Sequence, residues 1–110
     1  MGFYVGVPAS TDFTSQNIVT GSRAANIAYQ NTAGKGMLVS ACWDLAGKTT
    51  TLSFLSDAAN PPTTEVARIA DIAPQTGNIA QVFTMVLAGN WYLLSEPTGA
   101  AVLIVWVEYT

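Results

Sequence analysis

The 110-residue chain contains no histidine and a single cysteine, Cys42. Without histidine it lacks the usual imidazole base and the commonest zinc ligand, and a Ser-His-Asp triad is excluded. A single cysteine excludes an internal disulfide and a thiolate metal site. We therefore predict no catalytic site, no metal and no cofactor, and we expect Cys42 to pack as a small buried hydrophobe.

Charge is the second scarcity. Charged residues make up 10% of the chain, against roughly 25% in an average soluble protein, while 50% are hydrophobic. The four basic residues are scattered and form no stripe that could neutralise phosphates, so we expect no nucleic-acid binding. A surface so poor in charge favours an assembly subunit. The alternative is a monomer coated in Thr, Ser, Asn and Gln.

Long apolar runs are also missing. The longest, AAVLIVWV at 100–107, is far shorter than the roughly 18 residues that span a bilayer. The N-terminus has no basic region typical of a secretory signal. Gly6 stands where a myristoylation signal requires Ser or Thr. We expect a soluble chain without membrane contact.

Strand patterns and turn signals dominate what is present. Residues 51–55 and 37–43 alternate with period two, and Met37, Val39, Ala41 and Trp43 share one face. Residues 79–87 and 101–109 are apolar on both faces, which is typical of central strands or of strands that pack on a partner. Turn signals recur about every dozen residues. The pattern predicts an all-β, antiparallel, jelly-roll-like sandwich. Residues 64–73 are ambiguous, and we predict a strand there.

We divide the chain into an N-terminal arm, residues 1–15, and a β-sandwich domain, residues 16–110. The arm is apolar, and Asp12 is the one charged side chain in it. Because an uncovered apolar arm would promote aggregation, we expect it to reach a neighbouring subunit or a particle surface. An edge strand folded onto its own sandwich is the alternative. The candidate interface residues are Phe3, Tyr4, Val5 and Trp106.

Two Gly-Lys pairs invite comparison with a phosphate-binding loop. Gly47-Lys48-Thr49 matches the end of a P-loop, but Cys42 stands where the first glycine is required. Gly34-Lys35 is followed by Gly36 instead of Ser or Thr. We interpret both as hairpin corners. The seven acidic residues lie mostly beside turns, and the sequence does not bring two of them together for catalysis.

The aromatic residues allow two interpretations. Trp43 and Trp106 interrupt or end apolar runs, which favours core packing. Trp91 and Tyr92 follow Asn90 at a strand start, where they could lie in the core or on a contact surface. On a surface, the two rings could stack on a sugar while Asn90 or Glu96 accepts its hydroxyl hydrogen bonds.

The stretch YQNTAGKGMLVS at 29–40 resembles small β-sandwich domains of tailed-bacteriophage virion proteins, chiefly fibre tips and head decorations. The shared order is an aromatic, Gln or Asn residues, a Gly-Lys corner and an apolar strand. Further matching elements are Pro61-Pro62, GNWYLL at 89–94, and Trp106, Glu108 and Tyr109 in the closing strand. The sequence departs from the pattern at Gly36, where proline is frequent, and at the more apolar Leu93-Leu94.

The resemblance implies a structural protein of the virion, either a capsid decoration (cement) protein or a fibre subunit. It implies a homotrimer that contacts the major capsid protein or another virion protein. The alternative is a receptor-recognition module of a phage fibre that binds a surface glycan through Asn90, Trp91 and Tyr92. The resemblance also favours a β-corner at Gly34-Lys35-Gly36.

Overall fold

The computed structural model describes residues 13–45, 50–69 and 79–110. In these ranges the chain forms a short 3₁₀ helix, Thr20–Ser22, and eight strands. The strands are β1 (Gln16–Ile18), β2 (Ala28–Gln30), β3 (Met37–Asp44), β4 (Leu52–Asp57), β5 (Glu65–Ile69), β6 (Ile79–Val86), β7 (Trp91–Ser95) and β8 (Val102–Tyr109). Among the described residues, no helix is long and apolar enough to cross a membrane.

The strands form two four-stranded sheets. The first sheet has the order β1-β8-β3-β6 and the second has the order β2-β7-β4-β5, with antiparallel neighbours throughout. The chain changes sheet at every connection except the one between β4 and β5, which are neighbours in the second sheet. This order is that of an eight-stranded jelly roll. The prediction of an all-β, antiparallel, jelly-roll-like sandwich is confirmed.

The core lies between the two sheets, and strand alternation determines which residues enter it. On β3, Met37, Val39, Ala41 and Trp43 are buried, as their period-two spacing predicts. At the centre, the ring of Trp106 on β8 meets Phe54 on β4 edge to face, with 5.8 Å between ring centroids. The remaining large core residues are Leu45, Leu52, Val82, Val86, Tyr92 and Leu94.

The ambiguous stretch at 64–73 contains the strand β5, which pairs with β4. The strand prediction is therefore confirmed for the part that the structure describes, since residues 70–73 lie outside it. A register shift between Phe54 and Leu55 places Glu65 beside Arg68, and their side chains form an exposed ion pair at 3.0 Å.

The predicted arm is described only from Phe13 onward, so Phe3, Tyr4 and Val5 lie outside the described residues. The Phe13 ring contacts Tyr109, with 6.5 Å between centroids. The backbone N–H groups of Thr14 and Ser15 donate to the carbonyl of Thr110, at 2.8 and 3.2 Å. Residues 14 and 15 thus prolong the pairing of β1 with β8 beyond the first residue of β1.

The Gly34-Lys35-Gly36 corner joins β2 to β3, which belong to different sheets, so it is an inter-sheet corner and not a hairpin. Gly34 has a φ of 81°, a conformation that glycine adopts without steric cost. The second Gly-Lys pair, at 47–48, lies outside the described residues. Gly34 therefore has a conformational role in the β2–β3 corner.

Asn31, which is 1% exposed, organises this corner. Its side-chain amide donates to the carbonyls of Lys35 and Val86 at 2.9 and 3.0 Å, and its Oδ1 accepts from Ala33 N–H. Its backbone carbonyl accepts from Gly89 N–H in the turn between β6 and β7. One asparagine therefore ties the β2–β3 corner to the β6–β7 turn.

We predict that Asn31→Leu lowers the free energy of unfolding by about 2–3 kcal/mol, because it leaves buried carbonyls without donors. Urea denaturation measures the loss. Gln30→Leu is the matched control, since Gln30 is exposed and makes one side-chain hydrogen bond. It should change stability by no more than about 0.5 kcal/mol. Equal losses in the two variants would contradict this role for Asn31.

Candidate functional site

The outward-facing side of the first sheet is the most distinctive surface of the described residues. Cross-strand pairing arranges its side chains in rows, such as Phe83–Ser40–Val107–Ile18 across the four strands. We call this surface the outer face. Its members are Gln16, Ile18, Leu38, Ser40, Cys42, Asp44, Ile79, Gln81, Phe83, Met85, Val102, Val105, Val107 and Tyr109.

Large apolar side chains are exposed on the two edge strands of the outer face and at the start of β8, whereas Val107 near its centre is 8% exposed. Phe83 on β6 is 62% exposed, Val102 on β8 is 59% exposed and Ile18 on β1 is 68% exposed. Ile79 and Met85 are exposed as well. Single exposed apolar residues are common on soluble proteins, whereas large contiguous apolar patches mark sites of contact with proteins, membranes or ligands.

The outer face carries little charge. Among its residues, Asp44 is the charged one, and it lies at the end of β3. Gln81 and Ser40 satisfy each other, since the Gln81 amide donates to the Ser40 hydroxyl at 2.8 Å. Covering this face would therefore leave few polar groups without hydrogen-bond partners, so the cost of desolvation would be low.

The residues predicted as interface or glycan contacts lie elsewhere. Trp106 is fully buried in the core, so its prediction as an interface residue is wrong, because no part of its side chain reaches the surface. The interpretation of Trp43 and Trp106 as core residues is confirmed. Phe3, Tyr4 and Val5 are not described.

Trp91 and Tyr92 do not form a shared stacking platform, because consecutive residues of a strand point to opposite faces. Tyr92 is 1% exposed and enters the core, while Trp91 is half-buried on the outer side of the second sheet. Asn90 lies in the preceding turn, where its backbone carbonyl accepts from Asn31 N–H. The predicted glycan contact is thus divided between the core, a turn and the surface.

Glu108 is a buried residue whose carboxylate oxygens accept hydrogen bonds from three side chains. Arg23 donates to both of them, with Nε–Oε2 at 2.8 Å and Nη2–Oε1 at 3.0 Å. Tyr92 and Trp106 donate to Oε2 at 2.6 and 3.2 Å. The Arg23 guanidinium also lies over the Tyr29 ring, 4.6 Å from its centroid. We call these five residues the Glu108 network.

Electrostatics in the Glu108 network favour the ion pair. The hydrogen bond to Glu108 raises the pKa of Arg23 well above its usual value, with burial opposing the rise. Burial raises the pKa of Tyr92, and its hydrogen bond to Glu108 raises it further. Arg23 stays charged and Tyr92 stays a neutral donor, which is the chemistry of a structural link.

Glu96 is 2% exposed and occupies a second polar cluster at the turn between β7 and β8. Its carboxylate accepts from the Thr98 hydroxyl and N–H, from the Thr50 hydroxyl and from Ala101 N–H. Burial raises the pKa of Glu96, but these hydrogen bonds outweigh burial, so its pKa is lowered overall. The Asn26 amide donates to its backbone carbonyl. Glu96 is therefore not a surface acceptor for sugar hydroxyls.

Asp57 holds the connection between β4 and β5. Its carboxylate accepts from the N–H groups of Ala59, Thr63 and Thr64 at 2.8 to 3.0 Å, and from the Thr64 hydroxyl at 2.9 Å. The hydrogen bonds from Thr63 and Ala59 are the main reason that the pKa of Asp57 is lowered to about 2. The carboxylate acts as a local clamp on this loop.

The carboxylates of Asp57, Glu65, Glu96 and Glu108 thus bind four separate sets of donors. Asp12 and Asp71 lie outside the described residues. Within residues 13–45, 50–69 and 79–110, no group of three or more acidic, cysteine or histidine side chains could hold a metal ion. The described residues also enclose no pocket. The outer face is taken as the candidate functional site because it exposes several large apolar side chains.

Phe83 and Met85, two exposed apolar residues of the outer face, are not among the site residues predicted from the sequence. The signal that could have found them is the pattern at 79–87, which is apolar on both faces. One face of β6 packs in the core through Ala80, Val82 and Val86, and the other is exposed.

Comparison of the chain with protein-family models, with curated proteins and with solved structures finds no match.

We predict that Arg23→Met lowers the free energy of unfolding by about 3 kcal/mol, because it leaves the Glu108 carboxylate buried without its cation. Arg68→Met is the matched control. Arg68 pairs with Glu65 at the surface, so its loss should cost no more than about 0.5 kcal/mol. Urea denaturation of both variants compares them, and similar losses would rule out a special role for the buried pair.

We also predict a pH-dependent contribution from Asp57. Its folded pKa is depressed, so its stabilising effect is full above the ordinary value of 3.8 and is lost as the pH falls through about 2. The difference in Tm between the wild type and Asp57→Asn should shrink as the pH falls from about 5 to about 2. Thermal denaturation by circular dichroism measures it. A difference that stays constant over this range would refute the assignment.

Proposed function

We propose that this chain is a non-catalytic structural subunit of a bacteriophage particle, of the capsid decoration (cement) or fibre type. The observation that carries the proposal is the outer face, which presents large apolar side chains on β1, β6 and β8 with Asp44 as its charged member. Such a face suits a protein that works by lying against other protein.

The assignment to a phage particle rests on the sequence. Residues 29–40 and the closing strand resemble virion domains of tailed phages, and viral capsid proteins are among the classes that use jelly rolls. Because a fold by itself does not determine a function, the outer face supports the structural role and the resemblance supports the virion. The partners proposed are copies of the chain itself, three according to the resemblance, and the major capsid protein or another virion protein.

The glycan-binding alternative requires the Tyr92 side chain at the surface. Where Glu96 accepts the hydrogen bonds of the sugar, it requires that side chain at the surface as well. Both side chains are buried and hydrogen-bonded within the domain. No observation favours that function over the structural one, and we do not propose it.

The proposal predicts that the chain is a stoichiometric part of virions made by the phage or prophage genome that encodes it. An antibody against the purified chain should label these virions in immunogold electron microscopy. The chain should also co-sediment with the virions in a density gradient. The proposal would be overturned if the chain accumulates as free protein in the cells but is absent from the virions that they release.

A matched pair of variants connects virion incorporation to the outer face. Phe83→Lys places a charge on the face, whereas Val66→Lys places the same charge on an exposed valine of β5 in the other sheet. When introduced into the encoding genome, Phe83→Lys should raise the dissociation constant of the chain for the virion by at least about 30-fold, which is the effect of losing a contact of about 2 kcal/mol, and should thereby lower the amount of chain per virion. Val66→Lys should leave it unchanged.

A further inference from the structure

We propose that the free edge of β6 binds an extended, uncharged segment of another virion protein, which adds to the first sheet as a further strand. This inference rests on the proposed function and deepens it, because it names the strand that receives the partner and the chemistry of that partner. Its supports are the direction of the β6 backbone groups, the lack of protection on this edge and the side chains beside it.

The hydrogen bonds between β1 and β8 establish which backbone groups of the first sheet face which neighbour. Ser15 and Thr110 exchange both of their backbone hydrogen bonds, at 3.2 and 3.0 Å, and Val19 N–H donates to the carbonyl of Trp106. Successive residues of an antiparallel strand direct their N–H and C=O groups to opposite sides. The even-numbered residues at the end of β8 therefore face β1, and the odd-numbered ones face β3.

The same alternation continues across the sheet to β6. The even-numbered residues of β3 pair with the odd-numbered ones of β8, so the odd-numbered residues of β3 bond to the even-numbered ones of β6. Ile79, Gln81, Phe83 and Met85 thus direct their N–H and C=O groups to the free edge. The Thr84 hydroxyl donates to the Met85 carbonyl at 3.3 Å. Within residues 13–45, 50–69 and 79–110, no backbone group bonds to these four residues on that side.

Among the described edge strands, β6 alone lacks the features that usually prevent strand addition, which are short length, charge, proline or a bulge. The edge strands β1 and β2 have three residues each. The edge strand β5 carries Glu65 and Arg68 and pairs irregularly with β4. In contrast, β6 has eight residues, none of them charged or proline, and pairs with β3 in unbroken register. Such an edge is a template for another strand.

The side chains beside this edge indicate the chemistry of the added strand. Ile79, Phe83 and Met85 are 53%, 62% and 50% exposed. Directly opposed side chains of neighbouring strands interact, so apolar residues opposite these three would stabilise the pairing. Because β6 has no charged residue, a charged segment would lose the hydration of its charges without gaining ion pairs along the strand. The partner segment is therefore extended, uncharged and apolar at alternate positions.

The described strands of the chain itself do not supply such a segment. The other edge strands are either three residues long or charged. Two copies of β6 paired antiparallel about a two-fold axis would join two copies, whereas the resemblance implies three. The segment is therefore assigned to another virion protein.

Hydrogen exchange tests the inference on the full-length chain, both free in solution and within intact virions. The N–H groups of Gln81, Phe83 and Met85 should exchange at least about tenfold more slowly in the virion, because pairing with a strand removes them from water. The N–H groups of Val82 and Thr84, which face β3, are the internal control and should exchange slowly in both states. Mass spectrometry with residue resolution measures both sets.

A matched pair of variants at Gln81 separates the backbone contact from the side chain. Gln81→Pro removes an edge-facing N–H and keeps the ladder with β3, since proline is tolerated where the N–H faces away from the sheet. Gln81→Ala keeps that N–H and loses the side-chain hydrogen bond to Ser40. In the encoding genome, Gln81→Pro should raise the dissociation constant of the chain for the virion about tenfold, and Gln81→Ala should leave it unchanged. Circular dichroism checks the fold of both, and if Gln81→Pro does not fold, exchange in the wild type decides.

Other outcomes overturn the inference. Virions whose bound chain exchanges its edge-facing N–H groups as fast as the free chain exclude strand addition and leave the structural role. Protection that appears in the purified chain as its concentration rises assigns the edge to a second copy. Protection in the purified chain at every concentration assigns the edge to a segment of the chain itself. Absence of the chain from virions removes the proposed function, and the inference falls with it.

Discussion

The ion pair between Glu108 and Arg23 is the constraint on which the two-sheet arrangement depends. Glu108 belongs to the first sheet, Tyr92 to the second, and Arg23 to the connection that carries the chain between them. A carboxylate inside a sandwich is costly unless its oxygens are paired, so all three elements must assemble together. Trp106, which also donates to this carboxylate, stands at the centre of the core. The network therefore determines how the sheets and their first connection fit.

The charged side chains of the described residues are distributed unevenly between the two sides of the sandwich. Arg23 and Glu108 are enclosed, and Asp57 holds a loop. Glu65 and Arg68 pair on the outer side of the second sheet. The outer face of the first sheet is left with Asp44. Among the described residues, this distribution leaves most of the exposed large apolar side chains on the first sheet.

The fold and the surface make different contributions to the functional argument. Jelly rolls occur in capsid proteins, lectins and enzymes alike, so the topology leaves the function open. Its physical contribution is a broad platform of three eight-residue strands, with the short β1 at one edge, on which alternate side chains point the same way. Phe83 on β6 and Ile18 on β1 expose apolar side chains at the two edges of that platform.

Local signals in the sequence determined the β-class, most strand positions and the inward face of β3, because period-two alternation and turn residues act within a few positions of one another. They also marked 79–87 as apolar on both faces. Only the tertiary structure decided which of those faces is covered, since that depends on strand order between residues far apart in the chain. The same holds for Asn31, Glu96 and Glu108, whose burial and partners arise from contacts across sheets. The sequence leaves Trp106 open to both a core and an interface position, because its neighbours in sequence do not reveal the opposite sheet that encloses it.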